Sequence, residues 1–154
     1  MYGEDGVSFS DPIWLYPAVD DLNPRVPSVL SIELAEAKRL ALAGFNLPAV
    51  LMCGRVLEGL AQLHGIKERN LMSSLHSLQK RGLIDHGMRE WASELRVLRN
   101  IAAHFGHREE INREDVDDAI ALTEAILDYV YVYATRFEEF KARRRSTKTA
   151  DDQG

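Results

Sequence analysis

The chain has one cysteine among its 154 residues, so no disulfide can form within a single molecule. Without a disulfide framework, nothing in the sequence indicates an oxidising compartment. The single cysteine, Cys53, lies among Val50, Leu51 and Leu57. Such surroundings are typical of a small buried side chain rather than of a reactive thiol.

Long apolar runs are also missing. No stretch approaches the roughly 18 apolar residues that a membrane-spanning helix requires. Residues 1–17 hold no basic region followed by an apolar one, as a signal peptide would. We therefore expect a soluble, cytoplasmic protein with no membrane partner.

Positive charge is in short supply, because 19 Lys and Arg residues face 24 Asp and Glu residues and give a formal net charge of −5. An acidic chain has no general attraction to phosphate polymers. Any contact with nucleic acid must then come from a local basic patch.

Proline is almost confined to the start of the chain, where residues 1–27 hold four of the five prolines. Proline lacks a backbone donor and disfavours helix in the residue before it, so these residues are predicted to form an extended arm. Trp14, Leu15 and Tyr16 are the side chains expected to attach this arm to the rest of the protein.

The remainder has the 45% hydrophobic and 28% charged composition of an ordinary globular domain, and its length suits one domain. No β-type alternation is convincing, and apolar residues recur at helical spacing. The sequence predicts an all-α bundle of four or five helices over residues 28–143, followed by a disordered tail at 144–154. The predicted helices run from a Ser28 or Ser31 cap to about residue 43, from about 47 to 64, from an Asn70 cap to Gly82, from about 87 to 103, and from an Asn112 cap to about 143.

The fourth predicted helix carries the most informative segment. Its apolar stripe predicts a core of Trp91, Leu95, Leu98 and Ala102. Roughly opposite lies a polar face of Arg96, Arg99, Asn100, His104 and His107. At 100° per residue, Arg99 and His104 stand about 140° apart and flank this face, whereas Asn100 and His104 share it.

These residue types suit phosphate chemistry. Arginine presents a planar fork to phosphate oxygens, and histidine moves protons near neutral pH. From spacing alone, a solvated helix face explains the pattern more simply than a catalytic site does. A second polar stripe, formed by Arg55, Glu58 and Gln62, lies within about 60° on the second helix, so Glu58 is expected to pair with Arg99 or Arg55.

Neither a metal nor a cofactor is expected. His104 and His107 have a spacing that fits metal binding only if the helix continues, and Gly106 argues against that. The sequence has no phosphate-cradling glycine-rich loop, no CxxC pair and no GxSxG motif. The three arginines at 143–145 are predicted to complement the carboxyl end of the last helix rather than to bind RNA.

The run from Arg99 through Asn100 to His104, late in a helix of an all-α bundle, resembles the motif of the HEPN superfamily. The chain further resembles one branch, the family of domains of unknown function numbered forty-one forty-five, over about residues 15 to 135. The residues that carry this resemblance are LeuTyrPro at 15–17, GluAla at 36–37, the segment 49–58, GlyIle at 65–66, LysArgGlyLeuIle at 80–84 and ArgAsn with AlaHis at 99–104.

The resemblance implies a helical homodimer whose two motifs face a shared cleft, and a metal-independent endoribonuclease in a defence or toxin context. His104 would then carry the proton, Arg99 would clamp the phosphate and Asn100 would orient it. The residues expected to contact the substrate are Arg96, His107, Arg55 and Glu58. Phe105 stands where the toxin branch often has a tyrosine.

The alternative is a non-catalytic HEPN-like module, because many members of the superfamily are thought to be inactive. Such a module would dimerise and bind RNA, a nucleotide or a protein encoded by a neighbouring gene. The net charge of −5 favours the module. The presence of Arg99, Asn100 and His104 favours the enzyme, and both interpretations remain open on the sequence.

Overall fold

A computed structural model describes residues 22–104, 106 and 111–151, so most of the predicted arm over residues 1–27 lies outside the described residues. Within them the protein is all-α and contains no strand, as predicted. The helices are α1 (Ser28–Leu42), α2 (Asn46–Leu63), α3 (Leu71–Lys80), α4 (His86–Ala103), α5 (Arg113–Asp128), a π-helical segment (Tyr129–Tyr133) and α6 (Ala134–Asp151). Among the described residues, none of the helices combines the length and the hydrophobicity of a membrane-spanning segment.

Helix α2 is the centre of the bundle, with α1, α3, α4 and α5 packed around it. Its apolar residues cover most of its circumference, and its exposed side carries Arg55 and Gln62. Its buried residues are Ala49, Val50, Cys53, Gly54, Val56, Leu57, Leu60 and Ala61. The prediction that Cys53 is buried is confirmed, and burial raises the pKa of its thiol to about 11.

Helix α5, the π-helical segment and α6 follow one another without a break, and together they run antiparallel to α1 and continue beyond it. Near one end of α1, the Nη1 atom of Arg113 donates to the carbonyl oxygen of Ala41 at 2.7 Å. Near the other end, Arg25 forms an ion pair with Glu139 at 3.1 Å. Residues after Glu139 therefore extend past the start of α1.

Two predicted helix caps are confirmed. The side chain of Asn70 accepts a hydrogen bond from the Ser73 backbone N–H at 2.9 Å and begins α3. Asn112 begins α5 in a reciprocal capping box, in which its side chain accepts from the Asp115 N–H while the Asp115 carboxylate accepts from the Asn112 N–H.

The predicted cap of α1 is wrong. Pro27 occupies the N-cap position without a side-chain hydrogen bond, and Ser28 is already the first helical residue. The Ser31 hydroxyl donates to the carbonyl oxygen of Pro27 at 3.4 Å, so it does not accept a backbone N–H as a cap would. The proline fixes the entry angle of the chain and takes over the position.

The core stripe of α4 is shifted from the prediction. Trp91 is 43% exposed, whereas its neighbour Ala92 is completely buried. Leu95 and Ala102 are buried as predicted, and Leu98 is half-buried. Because α4 packs on α2, α3 and α5, the narrow Ala92 faces these helices and the larger Trp91 lies at the edge, over a groove towards α5.

The last helix also differs from the prediction, since α6 continues to Asp151 instead of ending near residue 143. Residues 144–151 are thus helical where a disordered tail was expected, and residues 152–154 lie outside the described part. Arginine, lysine and alanine are strong helix formers. The hydroxyls of Ser146 and Thr147 donate to the carbonyl oxygens four residues earlier, so they add no competing turn.

Candidate functional site

The motif residues occupy the carboxyl end of α4. Asn100 lies in the last turn and is exposed, and His104 is the C-cap of the helix. The backbone N–H of His104 donates to the carbonyl oxygen of Ile101 at 3.2 Å, and its ψ of 131° takes the chain out of the helix. Gly106 follows with φ of +91°, a conformation that glycine adopts without strain.

Arg99 points towards α2, where its Nη1 atom lies 2.6 Å from the Oε1 atom of Glu58. Of the two partners expected for Glu58, Arg99 is therefore the one that the structure has. Both side chains are 28% exposed, so the pair lies at the rim of the packed region rather than in open solvent. This ion pair joins the motif helix to the central helix of the bundle.

Gly54 makes the approach of Arg99 possible. A Cβ atom on Gly54 would lie 2.7 Å from the Cδ atom of Arg99 and 3.0 Å from its Nε atom. The arginine stem therefore crosses α2 at a residue that has no side chain. Sequence reasoning missed Gly54, although a glycine inside a helix costs about 1 kcal/mol and so signals that backbone or side chains come close.

Arg55 does not pair with Glu58. Its Nε and Nη2 atoms donate to the two carboxylate oxygens of Glu33 on α1, at 3.0 and 3.1 Å. Hydrogen bonding to Arg55 holds the pKa of Glu33 below its ordinary value. Glu33 was absent from the predicted site because only the packing of α1 on α2 brings it there.

The predicted polar stripe of α2 lies beside two surface depressions. The first, of about 290 Å³, is lined by Glu33, Arg55, Glu58 and Gln62. The second, of about 460 Å³, shares Glu58 and Gln62 and reaches the loop that precedes α3. Glu58 thus lies between these two depressions and the guanidinium group of Arg99.

The other predicted site residues are distributed differently. Arg96 is half-buried, and its Nε atom is buried with no hydrogen-bond partner among the residues described. Arg99 contacts Glu58 on the side of α4 that faces α2. Asn100 lies on the exposed side of α4, so these two motif residues point in different directions. His107 lies outside the described residues, and its predicted role stays a prediction.

Metal-ligating side chains do not cluster in the part of the chain that the structure describes. Residues 22–104, 106 and 111–151 contain no group of three or more His, Cys, Asp or Glu side chains able to hold an ion together.

Comparison with known proteins gives one finding. The family model described as "Domain of unknown function (DUF4145)" matches residues 35–143. The matched range includes Gly54, Glu58 and the motif from Arg99 to His104. Neither the curated proteins nor the solved structures yield a match.

Proposed function

We propose that this chain, which belongs to the DUF4145 family, is a HEPN-like, metal-independent endoribonuclease. The proposal starts from its motif of Arg99, Asn100 and His104. The observation that carries this proposal is the Arg99–Glu58 pair at 2.6 Å, fitted over Gly54. A carboxylate that holds one arginine nitrogen fixes the orientation of the guanidinium plane. The remaining N–H groups of the five that arginine offers stay available to a phosphate.

The proposed reaction cleaves RNA through its own 2′-hydroxyl. His104 accepts the proton of that hydroxyl while the 2′-oxygen forms a bond to the adjacent phosphorus atom. The bond from phosphorus to the 5′-oxygen breaks, and the protonated imidazole of His104 in a second copy of the chain supplies a proton to the departing oxygen. Arg99 stabilises the charge that develops on the phosphoryl oxygens. The products carry a 2′,3′-cyclic phosphate and a 5′-hydroxyl.

The proposal includes a two-fold dimer that brings two motifs together. The exposed face of α4 supports this arrangement, because Val97, Asn100 and Ala103 lie next to one another there and Val97 is 43% exposed. A face with small and apolar side chains suits close approach of a second helix. Val97→Glu should give a monomer by light scattering, whereas Val29→Glu, which alters an exposed valine on α1, should leave the dimer intact.

A non-catalytic binding module is the second candidate, and one observation favours it. The carboxylate of Glu58 already balances the charge of Arg99, as it would in a purely structural ion pair. The acidic composition, with a net charge of −5, points the same way. In this case the exposed end of α4 would hold a protein or a nucleotide without cleaving RNA.

The two candidates are separated by substitution of the motif. In excess EDTA, we expect the native protein to cleave single-stranded RNA and His104→Ala to lower the rate by about 10²- to 10⁴-fold, the loss typical of a general acid or base. Arg99→Ala should lower it by about 10²-fold or more. His76→Ala, which removes an exposed histidine from α3, is the matched control and should cleave at the native rate.

Cleavage that survives both motif substitutions would overturn the catalytic assignment. If no RNA is cut but a nucleotide or a protein binds the native chain and fails to bind Arg99→Ala, the binding module is correct.

A further inference from the structure

The carboxyl-terminal part of α6 concentrates positive charge in an otherwise acidic protein. Residues 141–149 hold five cationic side chains and no acidic one, against a net charge of −5 for the whole chain. Lys141 forms an ion pair with Glu138 at 2.6 Å, whereas Arg143, Arg144, Arg145 and Lys148 form none within the described residues. The basic segment is therefore the kind of local patch that a phosphate backbone requires.

The helix dipole does not account for these arginines. Its effect is confined to the last turn of a helix. Because α6 continues to Asp151, the basic residue in its last turn is Lys148, and the arginines at 143–145 stand at least one turn earlier. The sequence prediction that they complement the helix end depended on a helix that stops near residue 143.

Four of the five cations share one face of α6 with two exposed aromatic rings. At 100° per residue, Phe137, Phe140, Lys141, Arg144, Arg145 and Lys148 fall within an arc of about 140°. Phe137 and Phe140 are 58% and 51% exposed, and the Nζ atom of Lys141 lies 4.6 Å from the centre of the Phe137 ring. Arg144, Arg145 and Lys148 border a shallow depression of about 350 Å³.

We propose that this face of α6 binds single-stranded RNA, with the cations on successive phosphates and the phenylalanine rings stacked on bases. That the ligand is RNA rests on the proposed function, whereas the position of the site is inferred from the cations and aromatic rings on α6. Aromatic rings beside a row of cations on one surface are a combination by which proteins hold single strands without reading sequence. From Phe137 to Lys148 the face is roughly 16 Å long, the span of about five nucleotides.

The alternatives fit this face less well. A helix that lies in a membrane interface needs an apolar side along its length and cations opposite. In α6 no large apolar residue follows Phe140, and the rings and the cations lie on the same side. The family match ends at residue 143, so Arg144, Arg145 and Lys148 belong to this chain beyond the shared domain.

The test measures binding of a fluorescent 2′-O-methyl oligouridylate of about ten nucleotides, which cannot be cleaved through a 2′-hydroxyl and is long enough for one such site. With four phosphate contacts, the affinity of the native protein should fall roughly 50-fold between 50 and 200 mM salt. Arg144→Gln combined with Lys148→Gln should reduce this dependence to about 7-fold. Arg39→Gln combined with Lys80→Gln, which makes the same charge change on α1 and α3, should retain the native dependence.

Stacking is tested separately. Phe140→Leu should weaken binding about ten-fold without changing the salt dependence. The inference is overturned if both charge variants behave alike, if the native protein does not bind, or if Phe140→Leu dissociates a dimer while RNA affinity stays the same.

Failure of this inference is distinguishable from failure of the proposed nuclease. Cleavage that depends on His104 but is unaffected by the α6 variants would contradict only the proposed RNA-binding face. Binding that depends on Arg144 and Lys148, with no cleavage by the native chain, would contradict only the proposed nuclease activity.

Discussion

Gly54→Ala is expected to impair RNA cleavage without removing any chemical group from the site. The added Cβ atom would lie 2.7 Å from the Cδ atom of Arg99, closer than van der Waals contact allows. Since the backbone of α2 is held in the core, the arginine stem must move. A displacement of about 1 Å at a positioned group can cost on the order of 10²-fold in rate.

Stability should change little, because two effects of similar size oppose each other. Replacing glycine by alanine inside a helix contributes about 1 kcal/mol. Loss of the Arg99–Glu58 pair costs about 1 kcal/mol, since both side chains are 28% exposed and solvent weakens the pair. The free energy of unfolding, measured by urea denaturation, should therefore stay within about 1 kcal/mol of the native value.

The control is Gly59→Ala on the same helix. There a Cβ atom would meet Leu30 at 3.0 Å and not the arginine, so the rate per folded molecule should be native. If Gly54→Ala folds and cleaves RNA as fast as Gly59→Ala, the position of Arg99 does not affect cleavage and the Arg99–Glu58 pair has no catalytic role.

Three further predictions concern the bundle itself. Asn112→Ala should lower the free energy of unfolding by about 1 kcal/mol through loss of the cap, whereas Ser28→Ala, which removes no cap, should change it by a few tenths at most. Cys53, with its pKa raised to about 11, should resist maleimide labelling at pH 8 until the protein is unfolded, and rapid labelling of the native state would contradict its burial. Arg55→Gln should return the pKa of Glu33 to about its ordinary 4.5, as read by NMR titration. Because the pKa of Glu33 is lower in the folded state, the stability that Arg55 contributes should be fully present above the ordinary value of 4.5 and disappear as the pH falls through the folded-state pKa.

Local signals in the sequence predicted local structure well. Asn70 and Asn112 begin their helices as expected, because a cap depends on residues two or three positions away. The core face of α4 was less predictable. Trp91 and Ala92 are both apolar, and only the positions of α2, α3 and α5 decide which of them is buried.

In the candidate site, too, features that depend on neighbouring residues in the chain could be predicted, whereas features that depend on helix packing could not. The end of α4 could be identified from the spacing of Arg99, Asn100 and His104 together with the family resemblance. The crossing of Arg99 over Gly54 could not, because the two residues are far apart in the chain and the contact depends on how α4 packs on α2. A disordered tail was predicted from residue 144 onwards because chain ends are commonly disordered, whereas α6 continues to Asp151 and most of its residues favour a helix.

Analysis of product ends is the most direct test of the proposed reaction. A defined RNA is incubated with the native protein in excess EDTA, beside the same strand carrying 2′-deoxyribose throughout, and the fragments are examined by mass spectrometry. We expect fragments of the RNA that end in a 2′,3′-cyclic phosphate and begin with a 5′-hydroxyl, and an intact deoxy strand. Fragments that begin with a 5′-phosphate, or cleavage of the deoxy strand, would contradict attack by the 2′-hydroxyl and the role of His104 as its base.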